Sequence, residues 1–115
     1  MTTPYTILFV DDEPEICRSI ARVVRQEPYR CAFAGSGQEA LKIMASQMVH
    51  VIVTDYQMPG MSGVQLLEQV AQRYPLTIRL VLSGIDDSSV IRDAIRAGQI
   101  YRYILKPWDT HELRL

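Results

Sequence analysis

The sequence predicts an α/β domain in which one parallel sheet is covered by helices on both faces. Three observations carry this expectation. Short apolar, β-branched runs alternate strictly with stretches whose apolar residues recur at helical spacing. The connections between them are short, as consecutive β-α-β units require. Val51-Ile52-Val53 is apolar at every position, which suits a strand buried on both sides rather than one with a wet face. With 115 residues, 48% of them hydrophobic, residues 1–115 form one domain with enough apolar content for a core.

The elements follow in order. Tyr5 to Val10 is a first strand, broken by Asp11-Asp12-Glu13-Pro14. Ile16, Ile20, Val23 and Val24 then mark a first helix from about Pro14 to Gln26, with Pro14 in the first turn, where its missing N–H is no loss. Tyr29 to Ala34 is a second, weaker strand. Ser36-Gly37-Gln38-Glu39 reads as a capping box, and Ala40, Leu41, Met44 and Met48 form the stripe of a second helix. Val49 to Thr54 is the third strand, closed by Asp55 and a Pro/Gly-rich turn. Ser62 with Gln65 starts a third helix carrying Val64, Leu67, Val70 and Ala71, which Tyr74-Pro75 stops. Ile78 to Leu82 is a fourth strand ending at Ser83-Gly84. Asp86 or Asp87 caps a fourth helix with Val90, Ile91, Ala94 and Ile95, ended by Gly98. Tyr101 to Leu105 is a fifth strand. Asp109-Thr110-His111-Glu112 opens a fifth helix that is cut short at Leu115.

Composition narrows the function. A net charge of −1 with scattered basic residues offers no nucleic-acid surface. Cys17 and Cys31 lack any metal-ligand spacing and read as reduced, partly buried thiols. No signal peptide and no bilayer-length apolar run is present, so a cytoplasmic protein with no membrane contact is expected. His50 and His111 have no partners at metal or catalytic spacing and read as surface residues.

The informative polar residues sort to one edge. Asp11 and Asp12 follow the first strand, Asp55 ends the third, Ser83 ends the fourth and Lys106 follows the fifth. In open parallel sheets ligands gather at this carboxyl edge. Three carboxylates there repel unless a cation lies among them, and an all-oxygen set suits Mg²⁺. A metal, a lysine and a hydroxyl are the parts that stabilise charge on a transferring phosphoryl group, with Asp55 as the acceptor.

These motifs together resemble the receiver domains of two-component response regulators: Asp11-Asp12, Asp55-x-x-Met58-Pro59-x-x-x-Gly63, Ser83-Gly84, Tyr103 and Lys106-Pro107. The resemblance covers essentially the whole chain. It implies a flavodoxin-like three-layer sandwich with strand order 2-1-3-4-5, and Asp55 phosphorylated by a histidine kinase or phosphotransfer protein. It further implies Mg²⁺ held by Asp12, Asp55 and the Gln57 backbone carbonyl, with Asp11 acting through water. Ser83 and Tyr103 would be paired switch residues, reporting to the face of the fourth helix, fifth strand and fifth helix, which is also a possible homodimer surface. The segment Gly98-x-Ile100-Tyr101-Arg102-Tyr103-x-x-Lys106-Pro107-Trp108 is one residue longer than the common spacing. It resembles receivers fused to HD-GYP phosphodiesterases or NtrC-type ATPases, and it lets Tyr101 compete with Tyr103 for the switch role. The short fifth helix is expected of a receiver separated from an output module.

Other readings of the same residues exist. Asp12 alone would serve as a helix cap, Glu13 as a solvated helix-start acid, and Lys106 as a loop lysine. The module is expected to be no free-standing enzyme. The alternative is a phosphorylation-independent dimerising adaptor of the same fold, disfavoured because all five polar site residues are present. A phosphatase acting on external substrates would need an Asp-x-Asp pair, and position 57 is glutamine.

Overall fold

A computed structural model describes residues 5–83, 92, 95 and 102–105 of the chain. Their elements run β1 (Thr6–Val10), α1 (Pro14–Val24), β2 (Arg30–Ala34), α2 (Gly37–Ser46), β3 (Val51–Asp55), α3 (Gly63–Arg73), β4 (Ile78–Ser83) and β5 (Arg102–Leu105). The strands form one sheet in the order β2-β1-β3-β4-β5, and every pair is parallel. This is the expected parallel α/β architecture. Residues 92 and 95 are helical, and Ile95 packs on the core; the remainder of the fourth helix and all of the fifth lie outside the described residues.

Strand periodicity divides the interior in two. Leu8 and Val10 of β1, Ile52 of β3 and Val81 of β4 pack with Ala40 and Met44 of α2 and Leu66, Leu67 and Val70 of α3. The alternate residues Ile7, Phe9, Val53, Leu80 and Leu82 pack instead with Ile20 and Val24 of α1. Neighbouring residues on one strand thus serve opposite layers, which is why β1 and β3 carry no polar alternation. Each fully buried side chain of this kind contributes roughly 1.5–3 kcal/mol relative to exposure, so the two layers dominate stability.

Several boundaries differ from the sequence reading, each for a physical reason. Helix α1 ends at Val24 instead of Gln26. Continued further, it would bring the Pro28 ring against the Val24 carbonyl; the chain turns instead, with the Glu27 N–H donating to that carbonyl. The box at α2 is half a box. Ser36 Oγ accepts from the Glu39 N–H, but the Glu39 carboxylate accepts from the Gly35 N–H and not from Ser36. Met48 is not part of the α2 stripe: the helix closes at Ser46, Gln47 is extended, and Met48 is 75% exposed. The box at α3 is complete, with Gln65 N–H to Ser62 Oγ at 3.2 Å and Ser62 N–H to Gln65 Oε1 at 2.9 Å. Leu66, absent from the expected stripe, is fully buried there, while Val64 and Ala71 are half-buried.

Strand β3 reaches Asp55, and the chain then folds back so that Gly63 opens α3 against the strand it left. A Cβ at Gly63 would lie 2.1 Å from the Asp55 carbonyl oxygen, a backbone atom that cannot step aside. Only glycine permits this approach. Gly63→Ala is therefore expected to lower the unfolding free energy in urea by about 2 kcal/mol or more. Gly35→Ala, whose Cβ would find only Glu39 Oε2 at 3.6 Å, is expected to stay within about 0.5 kcal/mol of the parent. Equal melts for the two variants would show that the close approach is dispensable.

Candidate functional site

Asp55 is the last residue of β3, in register with Leu82 of β4, and its side chain is buried. Its carbonyl accepts from Thr54 Oγ1 at 3.1 Å. The loop beyond is held at both ends: the Tyr56 N–H donates to the Leu82 carbonyl at 2.9 Å, and the Gly63 N–H donates to the Tyr56 carbonyl at 2.8 Å. Between these bonds Gly60 takes a positive φ of 81°, a backbone state that a side chain would strain. Gln57 lies in this loop and is exposed.

Asp11 directly follows β1 and is also buried. Its N–H donates to the Ala34 carbonyl at 3.0 Å, and its Oδ1 accepts from the Glu13 N–H at 2.9 Å. That second bond makes an Asx turn, which presents Asp12 at the surface. The helix-cap reading of Asp12 does not hold: Glu13 is the N-cap of α1, and no side chain caps it. Glu13 is exposed, as a solvated acid should be.

Folding brings together three residues from two separate strand ends. Asp11, Asp12 and Asp55 each offer a carboxylate oxygen, and these oxygens all lie within 4.8 Å of one another. At an effective dielectric of about 20, two like charges at that separation repel by roughly 3 kcal/mol. A divalent cation relieves this, and the donor set is oxygen only, which fits Mg²⁺ and not a thiolate- or imidazole-seeking metal.

The other expected site residues are placed less fully. Ser83 ends β4, the strand next to Asp55, opposite Leu105, and Tyr103 lies one strand further out in β5, opposite Val81. Lys106 and Tyr101 lie outside the described residues. His50 departs from expectation. It is half-buried at the opposite edge of the sheet, where its Nδ1 accepts from the Thr6 N–H at 3.0 Å and its ring meets Tyr5 edge-on at 5.1 Å. No sequence spacing signals that contact, because it joins positions 44 residues apart.

Cys17 and Cys31 are free and half-buried, as expected. Cys17 sits beside the acidic cluster, its Sγ 3.7 Å from the Asp11 carbonyl oxygen. Burial pushes its thiol above the ordinary value of 9.0, and the carboxylates of Asp11 and Glu39 push it further; burial alone raises Cys31.

A doubly wound parallel sheet with three carboxylates grouped at its carboxyl edge defines the class: an α/β domain with an acidic cluster where a central strand ends. The chain belongs to the response regulator receiver domain family, which it matches over residues 7–115, and is thus a receiver domain of two-component response regulators. It is 40% identical to the hydrogenase transcriptional regulatory protein HoxA of Cupriavidus necator over 90% of this chain and 21% of that protein. It is 31% identical to the DNA-binding transcriptional regulator NtrC of Escherichia coli over 90% of this chain and 22% of that protein. The chain therefore spans about a fifth of the length of these regulators. Among solved structures it is similar to the signal receiver domain of an HD domain-containing protein from Pseudomonas fluorescens, with 37% identity and a TM-score of 0.90 over 96% of this chain and 89% of that one. An NtrC regulator and an HD domain-containing protein are thus both among these relatives.

The thiols give the site a chemical readout. Because both folded-state values are raised, their contribution to stability is complete below pH 9.0 and is lost as the pH rises through the folded values. Iodoacetamide at mildly alkaline pH should modify Cys17 more slowly in the folded chain than in the urea-unfolded chain. Asp11→Asn should speed the folded reaction by removing a neighbouring negative charge. Peptide mapping of the alkylated cysteines checks both; an unchanged Cys17 rate in Asp11→Asn would dissociate the thiol from the cluster.

Proposed function

We propose that this domain is a phosphoacceptor switch, in which Asp55 receives a phosphoryl group from a histidine kinase or phosphotransfer protein. The observation that carries the reading is the position of Asp55: buried at the end of a central strand, with its carboxylate grouped with those of Asp11 and Asp12. Asp12, Asp55 and the Gln57 backbone carbonyl would hold Mg²⁺, with Asp11 reaching it through water. When bound, the ion neutralises charge among the carboxylates and on the phosphoryl oxygens.

The chain's own residues supply the rest. An ionised Asp55 oxygen attacks phosphorus; the new O–P bond forms as the bond to the donor breaks, the P–N bond of a phosphohistidine or the P–O bond of acetyl phosphate. The electron pair leaves with the histidine or acetate, and the carboxylate needs no proton removed. Asp11, fixed by its Asx turn, holds Asp12 at the mouth of the site. Lys106 would pair with a phosphoryl oxygen, and the Ser83 hydroxyl would donate to another. Phosphorylation adds about −1.5 to −2 charge. Drawing Ser83 toward that charge and turning Tyr103 inward would shift the face of the fourth helix, fifth strand and fifth helix between two states. That face would pass the signal to an output module or to a second copy of the domain. The domain would act in the cytoplasm as one part of a longer regulator and not as a free-standing enzyme.

Intact mass after incubation with acetyl phosphate and Mg²⁺ tests the reading. One phosphoryl increment is expected in the parent, and none in Asp55→Asn or with EDTA. Asp12→Asn should weaken Mg²⁺ binding by roughly tenfold or more, read by titration without any phosphodonor. A folded parent that gains no mass with Mg²⁺ present would favour the dimerising adaptor.

A further inference from the structure

One side chain in the loop after Asp55 has no part in the chemistry described so far, yet it is seated tightly on a neighbouring helix. Met61 is half-buried between Gly60 and the Ser62 cap, and it packs on the core layer that α2 and α3 share. A Cβ built at Gly37, the first residue of α2, would lie 2.6 Å from Met61 Sδ and 3.1 Å from its Cβ and Cγ. Three atoms of the Met61 side chain thus lie along the bare Cα of Gly37. The same sulfur accepts a weak hydrogen bond from Gln69 Nε2 of α3 at 3.9 Å. The thioether therefore bridges the start of α2 and the middle of α3. A soft, unbranched side chain suits such an irregular gap.

Gly37 has no backbone reason to be glycine. Among the described residues only Gly60 takes a positive φ, and at an ordinary helical position glycine is less favourable than alanine. What glycine supplies at position 37 is room for Met61. The backbone hydrogen bonds of the 56–63 loop fall at its two ends, at Tyr56 and at Ser62 and Gly63. Between them the loop is held through side chains, those of Met58, which is buried, and of Met61. The seat also lies near the acidic edge. Glu39, two residues beyond Gly37, is close enough to raise the Cys17 thiol, whose Sγ is 3.7 Å from the Asp11 carbonyl oxygen. A shift of Met61 off Gly37 is therefore a shift, beside that edge, of the segment that carries Gln57.

We propose that Met61 is a positioning residue of the acidic site: seated on Gly37, it fixes the loop so that the Gln57 carbonyl is held ready for the ion that Asp12 and Asp55 bind. This role rests on the phosphoacceptor reading, in which that carbonyl is a Mg²⁺ ligand. Met61 acts through the backbone it anchors and not by contact with the ion.

Two measurements on the full chain test this: Mg²⁺ titration without phosphodonor, and hydrogen exchange of residues 56–62 in the metal-free protein. Gly37→Ala pushes the sulfur off its seat, and Met61→Ala removes it. Each should weaken Mg²⁺ binding roughly tenfold and speed exchange in the loop. Met61→Ala deletes a half-buried side chain and adds none, so that variant keeps its fold, which a urea melt verifies. Met61→Leu refills the space and should recover most of the affinity that Met61→Ala loses. Because Gly37→Ala acts through Met61, the double variant Gly37→Ala/Met61→Ala should bind Mg²⁺ no worse than Met61→Ala alone. Parent-like Mg²⁺ affinity in both single variants, even with lowered melts, would overturn the proposal and leave the phosphoacceptor reading standing. So would unchanged exchange in the loop, or losses that add in full in the double variant. A parent that binds no Mg²⁺ would remove that reading, and this role with it.

Discussion

A carboxylate buried at the end of a central strand is the constraint on which the rest of this domain depends. Taking an ionised group out of water costs several kcal/mol unless charges or dipoles replace the lost solvation. Asp55 ends β3 beside β1, whose register pairs Val10 with Thr54, so the loop after β1 lies next to it. That adjacency brings the carboxylates of Asp11 and Asp12 within reach of Asp55. It also dictates the loop after Asp55, which must clear the site and re-enter α3 at once. The positive φ of Gly60 and the bare Cα of Gly63 against the Asp55 carbonyl make that reversal possible.

The two edges of the sheet are chemically opposite. Among the described residues, acidic oxygens and hydrogen-bonded turns occupy the carboxyl edge, while the amino edge carries exposed apolar side chains. His50 ties the amino edge together: its ring accepts from Thr6, its N–H donates to the Thr6 carbonyl, and its carbonyl accepts from Ile78. One residue thereby links the starts of β1, β3 and β4.

The relatives differ in description, two being transcriptional regulators and a third HD domain-containing. A domain shared by proteins of such different description does not by itself set what each of them does.

Strictly local physics was legible in the sequence. Apolar periodicity located the described strands and helices to within a few residues, the Ser62–Gln65 box marked the start of α3, and Asp11, Asp12 and Asp55 were expected at the one edge where the structure groups their carboxylates. Errors arose where an element's end is set by something distant. Met48 has the spacing of a helix stripe, but the chain must leave α2 early to enter β3. His50 carries no local signal, because its partner is a backbone N–H on another strand. Leu76 and Tyr5 read as ordinary loop and strand residues until folding sets them beside Met48 and Ile78. Periodicity and capping act over three or four residues, so the sequence alone determined the elements and the chemistry of the acidic edge. The distances within the carboxylate cluster, the contact that reserves position 63 for glycine, and the apolar grouping at the far edge depend on residues tens of positions apart, and only the tertiary structure decided them.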